Sequence, residues 1–187
     1  MRKIRSRREL VKGIPPLCFL GASVSAWGVC GTPGEATVIG VAQTTACTLA
    51  NGQSLQVTNA GSIRVSSGNA LSGAPSAVLG GIVNDGTIST STSARANAFE
   101  QGVTVNGGLI NTGSISGGGH AIELGTSGNV TFNAGSSGPF PGIGLYNSGT
   151  ISTGTSFGDS SALRINNSSA INGNIVNTNT GSLNGSR

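Results

Sequence analysis

The sequence predicts an all-β chain wound as a parallel solenoid. Three observations lead there. A five-residue pattern, Asn-x-Gly-[Ser/Thr]-[Ile/Leu], occurs five times in 187 residues. Aliphatic residues alternate in short pairs, which is the strand signal, and no stretch beyond the N-terminal region sustains a 3.6-residue period. Gly, Ser, Thr and Asn number 32, 26, 18 and 17, together 93 of 187 positions, while charged residues are 9% and aromatics 4%.

That composition excludes several classes. An ordinary domain has about 25% charged residues. So few charges rule out a highly charged disordered chain, a coiled coil and a salt-bridged helical bundle. Leu, Ile, Val and Phe supply 44 residues, enough for a core but a thin one. A Gly/Ser/Asn-rich linker would lack placed aliphatics. An antiparallel sandwich has short strands too, but seldom repeats one corner sequence five times.

The first element is basic. Arg2, Lys3, Arg5, Arg7, Arg8 and Lys12 stand against Glu9, and no lysine follows Lys12. The remainder holds four arginines and five acids, so the formal charge of +4 belongs to the start of the chain. A nucleic-acid binder needs clustered cations on its folded surface, and none cluster here. An apolar run from Ile14 to Ala26 follows, ending in Val24-Ser25-Ala26. A charged region, a short apolar core and a small-residue exit make residues 1–26 a secretory signal peptide. The run is too short for a bilayer, which needs about 20 apolar residues. No other window is long and apolar enough, so the mature chain has no transmembrane segment.

Residues 27–53 read as an N-terminal cap segment. Two cysteines remain there, Cys30 and Cys47. An even count in an exported chain reads as one disulfide closing a short loop. The one histidine, His120, is too far along the chain to complete a metal site with them. No cofactor is expected.

Residues 54–187 carry the repeats. The five copies are Asn59-Ala-Gly61-Ser-Ile63, Asn84-Asp-Gly86-Thr-Ile88, Asn111-Thr-Gly113-Ser-Ile115, Asn147-Ser-Gly149-Thr-Ile151 and Asn179-Thr-Gly181-Ser-Leu183, spaced by 25, 27, 36 and 32 residues. Asn and Gly suit a corner, because Asn tolerates left-handed backbone angles and Gly accepts positive φ. A weaker element falls between copies: Gly68-Asn-Ala-Leu71, Ala96-Asn-Ala-Phe99, Gly119-His-Ala-Ile122 and Ser160-Ser-Ala-Leu163. Each unit reads as strand, corner, strand, loop, strand. One unit cannot bury its aliphatics alone, whereas stacked units share an interior, which makes the array a parallel β-solenoid. Surplus residues leave the coil as loops, chiefly 135–144 and 153–160.

These features together resemble the N-terminal β-helix portion of an autotransporter passenger from type V secretion. The residues that carry the resemblance are the signal peptide, the stretch Cys47-Thr-Leu-Ala-Asn-Gly-Gln-Ser-Leu-Gln-Val-Thr-Asn-Ala-Gly-Ser-Ile63, and the repeated coils. The resemblance implies a right-handed parallel β-helix, exported through the inner membrane and displayed at the cell surface or released by a C-terminal barrel. No barrel is present here, and the last copy of the pattern lies at the end of the sequence, so the chain reads as truncated.

Candidate chemistry is sparse. A Ser/His/Asp site needs a base oriented by an acid. His120 lies in the slot where Asn69, Asn97 and Ser161 stand in other units, which favours an ordinary polar position. A carbohydrate-cleaving site needs paired carboxylates. Glu100, Glu123 and Arg164 fall in equivalent slots and would line one face. The expectation is a non-catalytic adhesin or structural stalk whose partners are host or cell-surface molecules, glycans or matrix proteins among them. The alternatives are a secreted polysaccharide-acting enzyme on the same solenoid and a nonfunctional remnant.

Overall fold

A computed structural model describes residues 30–91, 94–99, 101–136, 140–154 and 160–186. Residues 1–26, Glu100 and most of 153–160 lie outside them. The described chain is all-β, with twenty-one short strands and no helix. The strands fall into four sheets, and every pairing within each sheet is parallel.

One six-stranded sheet contains Ala36–Ile39, Ser54–Val57, Ile82–Asn84, Leu109–Asn111, Ile143–Asn147 and Asn174–Asn177. It is called the asparagine sheet below. The other six-stranded sheet, the isoleucine sheet, contains Ala42–Gln43, Ser62–Val65, Thr87–Thr90, Ser114–Gly117, Thr150–Thr153 and Ser182–Asn184. The charged sheet has five strands: Cys47–Leu49, Leu71–Gly73, Asn97–Phe99, Ile122–Leu124 and Leu163–Ile165. The short sheet has four: Val78–Leu79, Thr104–Asn106, Thr131–Asn133 and Ala170–Asn172.

The chain visits these sheets in the same order on every turn, so successive coils lie one on another. The result is a four-sided parallel solenoid. The sequence suggests three strands per coil. The fourth, on the short sheet, comes from the Leu79, Val105 and Phe132 positions, which form one inward column with Ile171.

Columns of like residues fill the interior. Ile63, Ile88, Ile115 and Ile151 are in register and completely buried. Leu55, Ile82, Leu109 and Leu145 make a second buried column. Phe99 and Phe132 meet edge to face across the interior, with ring centroids 5.3 Å apart. Burying each such side chain stabilises by about 1.5–3 kcal/mol. No coil closes this interior by itself, so the stabilisation is shared between neighbours.

The corners differ from expectation in two ways. Asn84, Asn111 and Asn147 turn inward, buried, and form a ladder of amides. Asn84 Nδ2 donates to Asn111 Oδ1, Asn111 Nδ2 to Asn147 Oδ1, and Asn147 Nδ2 to Asn177 Oδ1, each at 2.7 Å. The same nitrogens bond the backbone carbonyls of Ser114, Thr150 and Ser182 on the next coil. Asn59 and Asn179 are exposed and stand outside this ladder. Their corners are two residues longer, so Val57 and Asn177 take the ladder positions instead. Val57 offers no donor, which leaves Asn84 Oδ1 buried without a partner among the described residues.

The second difference concerns the glycines. Gly61, Gly86, Gly113, Gly149 and Gly181 are absent from the positive-φ positions. Their small size is needed for close approach. A Cβ on Gly86 would overlap the carbonyl oxygen of Gly61, one on Gly113 that of Gly86, and one on Gly149 that of Gly113. Those carbonyls accept from the following coil: Thr150 N donates to Gly113 O at 2.8 Å. Glycine is therefore required by the stacking distance of the coils, about 4.8 Å.

The first coil has no strand on the short sheet and is closed by covalent and polar links. Cys30 and Cys47 are disulfide-bonded, 17 residues apart, with Cα atoms separated by 5.0 Å. Gln53, fully buried, donates through Nε2 to Cys30 O at 2.6 Å and to Thr32 O at 2.9 Å.

Candidate functional site

Each sheet presents one face to solvent, and the four outer faces differ in chemistry. The isoleucine sheet shows rows of hydroxyls, Ser62, Thr87, Ser114, Thr150 and Ser182, followed by Ser89, Ser116 and Ser152. The charged sheet carries Thr48, Ser72, Ala98, Glu123 and Arg164 in one outward row.

Glu123 is the centre of the only charged cluster among the described residues. It is 1% exposed although it points away from the core, because arginines cover it from both neighbouring coils. Arg95 Nε is ion-paired with Glu123 Oε2. Arg164 Nε lies 3.8 Å from Glu123 Oε1, and Asn166 Nδ2 donates to that oxygen at 2.9 Å. Arg164 Nε also donates to Asn166 Oδ1 at 3.1 Å. One carboxylate thus faces two guanidinium groups that remain partly exposed.

His120 sits beside this group and is itself nearly buried. Ser161 N donates to His120 Nδ1 at 3.0 Å, and Arg164 Nη1 lies 2.6 Å from Nε2. A neutral imidazole has one lone pair for hydrogen bonding and one N–H, so two donors compete for a single acceptor. Desolvation by burial lowers the His120 pKa, Glu123 opposes that, and Arg164 and Arg95 add to it. His120 is therefore held neutral.

The register alters the slots read from the sequence. Leu71, Asn97 and Ile122 form one inward row, so the equivalent of His120 in the preceding coil is Arg95. Ala98 pairs with Glu123, and Glu123 with Arg164. Ala98, not Glu100, occupies that slot, and Glu100 lies outside the described residues. The small-x-Ala-aliphatic pattern fits Ala98, which Phe99 follows, but not Ala96, which Asn97 follows, so it marks a stretch two residues beyond the one the register selects. Ala96, buried like Ala70, Ala121 and Ala162, is the true equivalent. Arg95 and Asn166 therefore escape the sequence reading.

Chemically the cluster is a lock across coils. Among the described residues no second carboxylate lies beside its own to divide acid and base roles. Among the described residues no group of three or more His, Cys, Asp or Glu could hold a metal ion. Asp85 lies at a corner, where it accepts from Thr112 Oγ1 at 2.8 Å and from Gln56 Nε2 at 3.4 Å. Among the described residues no helix is long and apolar enough to cross a membrane. No family model matches the chain, and neither does any curated protein or solved structure.

Proposed function

We propose that this chain is an exported, non-catalytic passenger segment of an autotransporter-like protein, serving as a stalk or adhesive surface at or beyond the bacterial envelope. Residues 1–26 act as its signal peptide, and a barrel supplied by the full-length protein displays it. The coiling is right-handed, in keeping with the strong preference of parallel strand crossovers. One observation carries the reading: coils stacked in register present long outer rows of polar side chains, while the one charged cluster among the described residues is occupied with holding coils together. Such a body is stiff along its axis and repeats its surface every coil, which suits adhesion and spacing.

Expression of the full chain in a Gram-negative host tests export. A mature species beginning at Trp27, read by mass spectrometry, is the expected product. A chain retained in the cytoplasm with Met1 intact overturns the proposal. Adhesion is tested on cultured host cells with and without loop 135–144. Deletion should reduce attachment and leave the far-UV β signal unchanged. Polysaccharide turnover abolished by Glu123→Gln would overturn the non-catalytic reading.

A further inference from the structure

Two adjoining outer faces have no charged residue in their strands, Asp85 standing at the corner beside Gln56, and they share an unusual pairing of chemistries. The outward row of the asparagine sheet is Val38, Gln56, Val83, Ile110, Tyr146 and Val176. It is an apolar stripe on an otherwise polar solenoid. Phe140 packs on Tyr146 at a centroid distance of 4.3 Å and an interplanar angle of 35°, which widens the stripe into an aromatic platform.

The neighbouring short sheet ends in a second amide ladder, and this one faces solvent. Asn172 Nδ2 donates to Asn133 Oδ1 and Asn133 Nδ2 to Asn106 Oδ1, both at 2.9 Å. The ladder runs one way, so the Asn106 amide nitrogen at its start has no partner among the described residues. Beside it lies a concavity of about 300 Å³ lined by Asn106, Gly107, Ala134, Gly135 and Ser136. Gly142 N donates to Gly135 O at 3.0 Å, which ties Gly142 to the residue that lines the concavity.

We infer that this corner binds a neutral polysaccharide. The inference rests on the adhesive reading above and names its ligand class. A pyranose chain has an apolar C–H face and an edge of hydroxyls. The aromatic and aliphatic row matches the face, and the amides with the Ser136 hydroxyl match the edge as donors and acceptors. No strand of either sheet bears a charged residue, so the surface offers an acidic glycan no countercharge. An amide stands on three successive coils, Asn106, Asn133 and Asn172, with Ile110, Tyr146 and Val176 on the adjoining sheet, so an extended ligand meets a repeated amide and apolar pairing around one aromatic platform.

The test titrates the full chain with a soluble neutral glucan, a galactan and a mannan, and with polygalacturonate as the acidic probe. At least one neutral polymer should bind. Tyr146→Ala and Asn133→Ala should each weaken binding about tenfold or more, which corresponds to the loss of one good contact. Tyr146→Phe should retain binding, and Ser116→Ala on the hydroxyl face should leave it unchanged. Circular dichroism and melting establish that each variant folds. Absence of neutral binding, equal binding by the variants, or preference for polygalacturonate overturns the inference. So does a dimer in sedimentation that Tyr146→Ala dissociates, since the stripe would then be a contact between copies. Cell attachment that persists without neutral-glycan binding sinks this inference alone; glycan binding without cell attachment sinks the adhesive reading alone.

Discussion

Three of the situations in which asparagine occurs among the described residues carry different energies. Asn111 links two coils through its amide, accepting from Asn84 and donating to Asn147. Asn111→Ala removes both links and strands buried polar atoms, at about 1–3 kcal/mol for each unsatisfied group. Asn179→Ala, at an exposed corner, should change stability by less than about 0.5 kcal/mol. Denaturant midpoints for the pair measure the contrast, and equal midpoints would remove the ladder from the account. Asn97 is the reverse case. It is fully buried in a row with Leu71 and Ile122, and neither amide atom has a hydrogen-bond partner among the described residues. Asn97→Leu should raise stability by about 1 kcal/mol or more, because burying an unbonded amide is costly. His120 adds a pH dependence. Its pKa is lowered in the fold, first by burial, so the unfolded chain binds the proton more readily. Stability is then full above about pH 6.5, the unfolded value, and falls as pH drops from there toward the lower folded pKa. His120→Asn should flatten the melting temperature over that window. A wild-type profile no steeper than the variant's would contradict the assignment.

Strands of two to five residues have little stability as separate pieces, and they persist here because each is paired with a neighbouring coil, the inner ones on both sides. The isoleucine column shows how completely one element depends on the next, since Ile115 lies in register between Ile88 and Ile151 with no exposed surface. Ile115→Asp places a charge in that column and should cost several kcal/mol or prevent folding. A variant whose thermal melt matched wild type would refute the inward assignment. The strand positions were legible in the sequence, because Ile63/Val65, Leu55/Val57 and Val103/Val105 alternate. Register was less legible. Ala98 fits the short pattern because Phe99 follows it, whereas the backbone bonds from Leu71 N to Ala96 O and from Asn97 N to Ala121 O put Ala96, followed by the polar Asn97, in the equivalent place.

At the scale of the molecule, the coils form one continuous body whose two ends differ. The first coil is fastened by the disulfide and by Gln53, whereas Ile165, Ile175 and Leu183 of the last coils are 42%, 51% and 40% exposed. Reducing Cys30–Cys47 frees the chain at the fastened end. A loop of this size contributes about 3 kcal/mol by constraining the unfolded state. Urea unfolding with and without reductant should show that difference, and coincident curves would assign the end's stability to Gln53 and packing alone. The sequence by itself determined the all-β class, the repeat and the corner residues, because short-range spacing and turn chemistry are local properties of the chain. Only the tertiary structure decided which asparagines turn inward, why the corner glycines must be glycine, and that Arg95 faces Glu123. Those outcomes depend on what lies one coil away, some 25–40 residues along the chain, where a difference of two residues in corner length changes the neighbour.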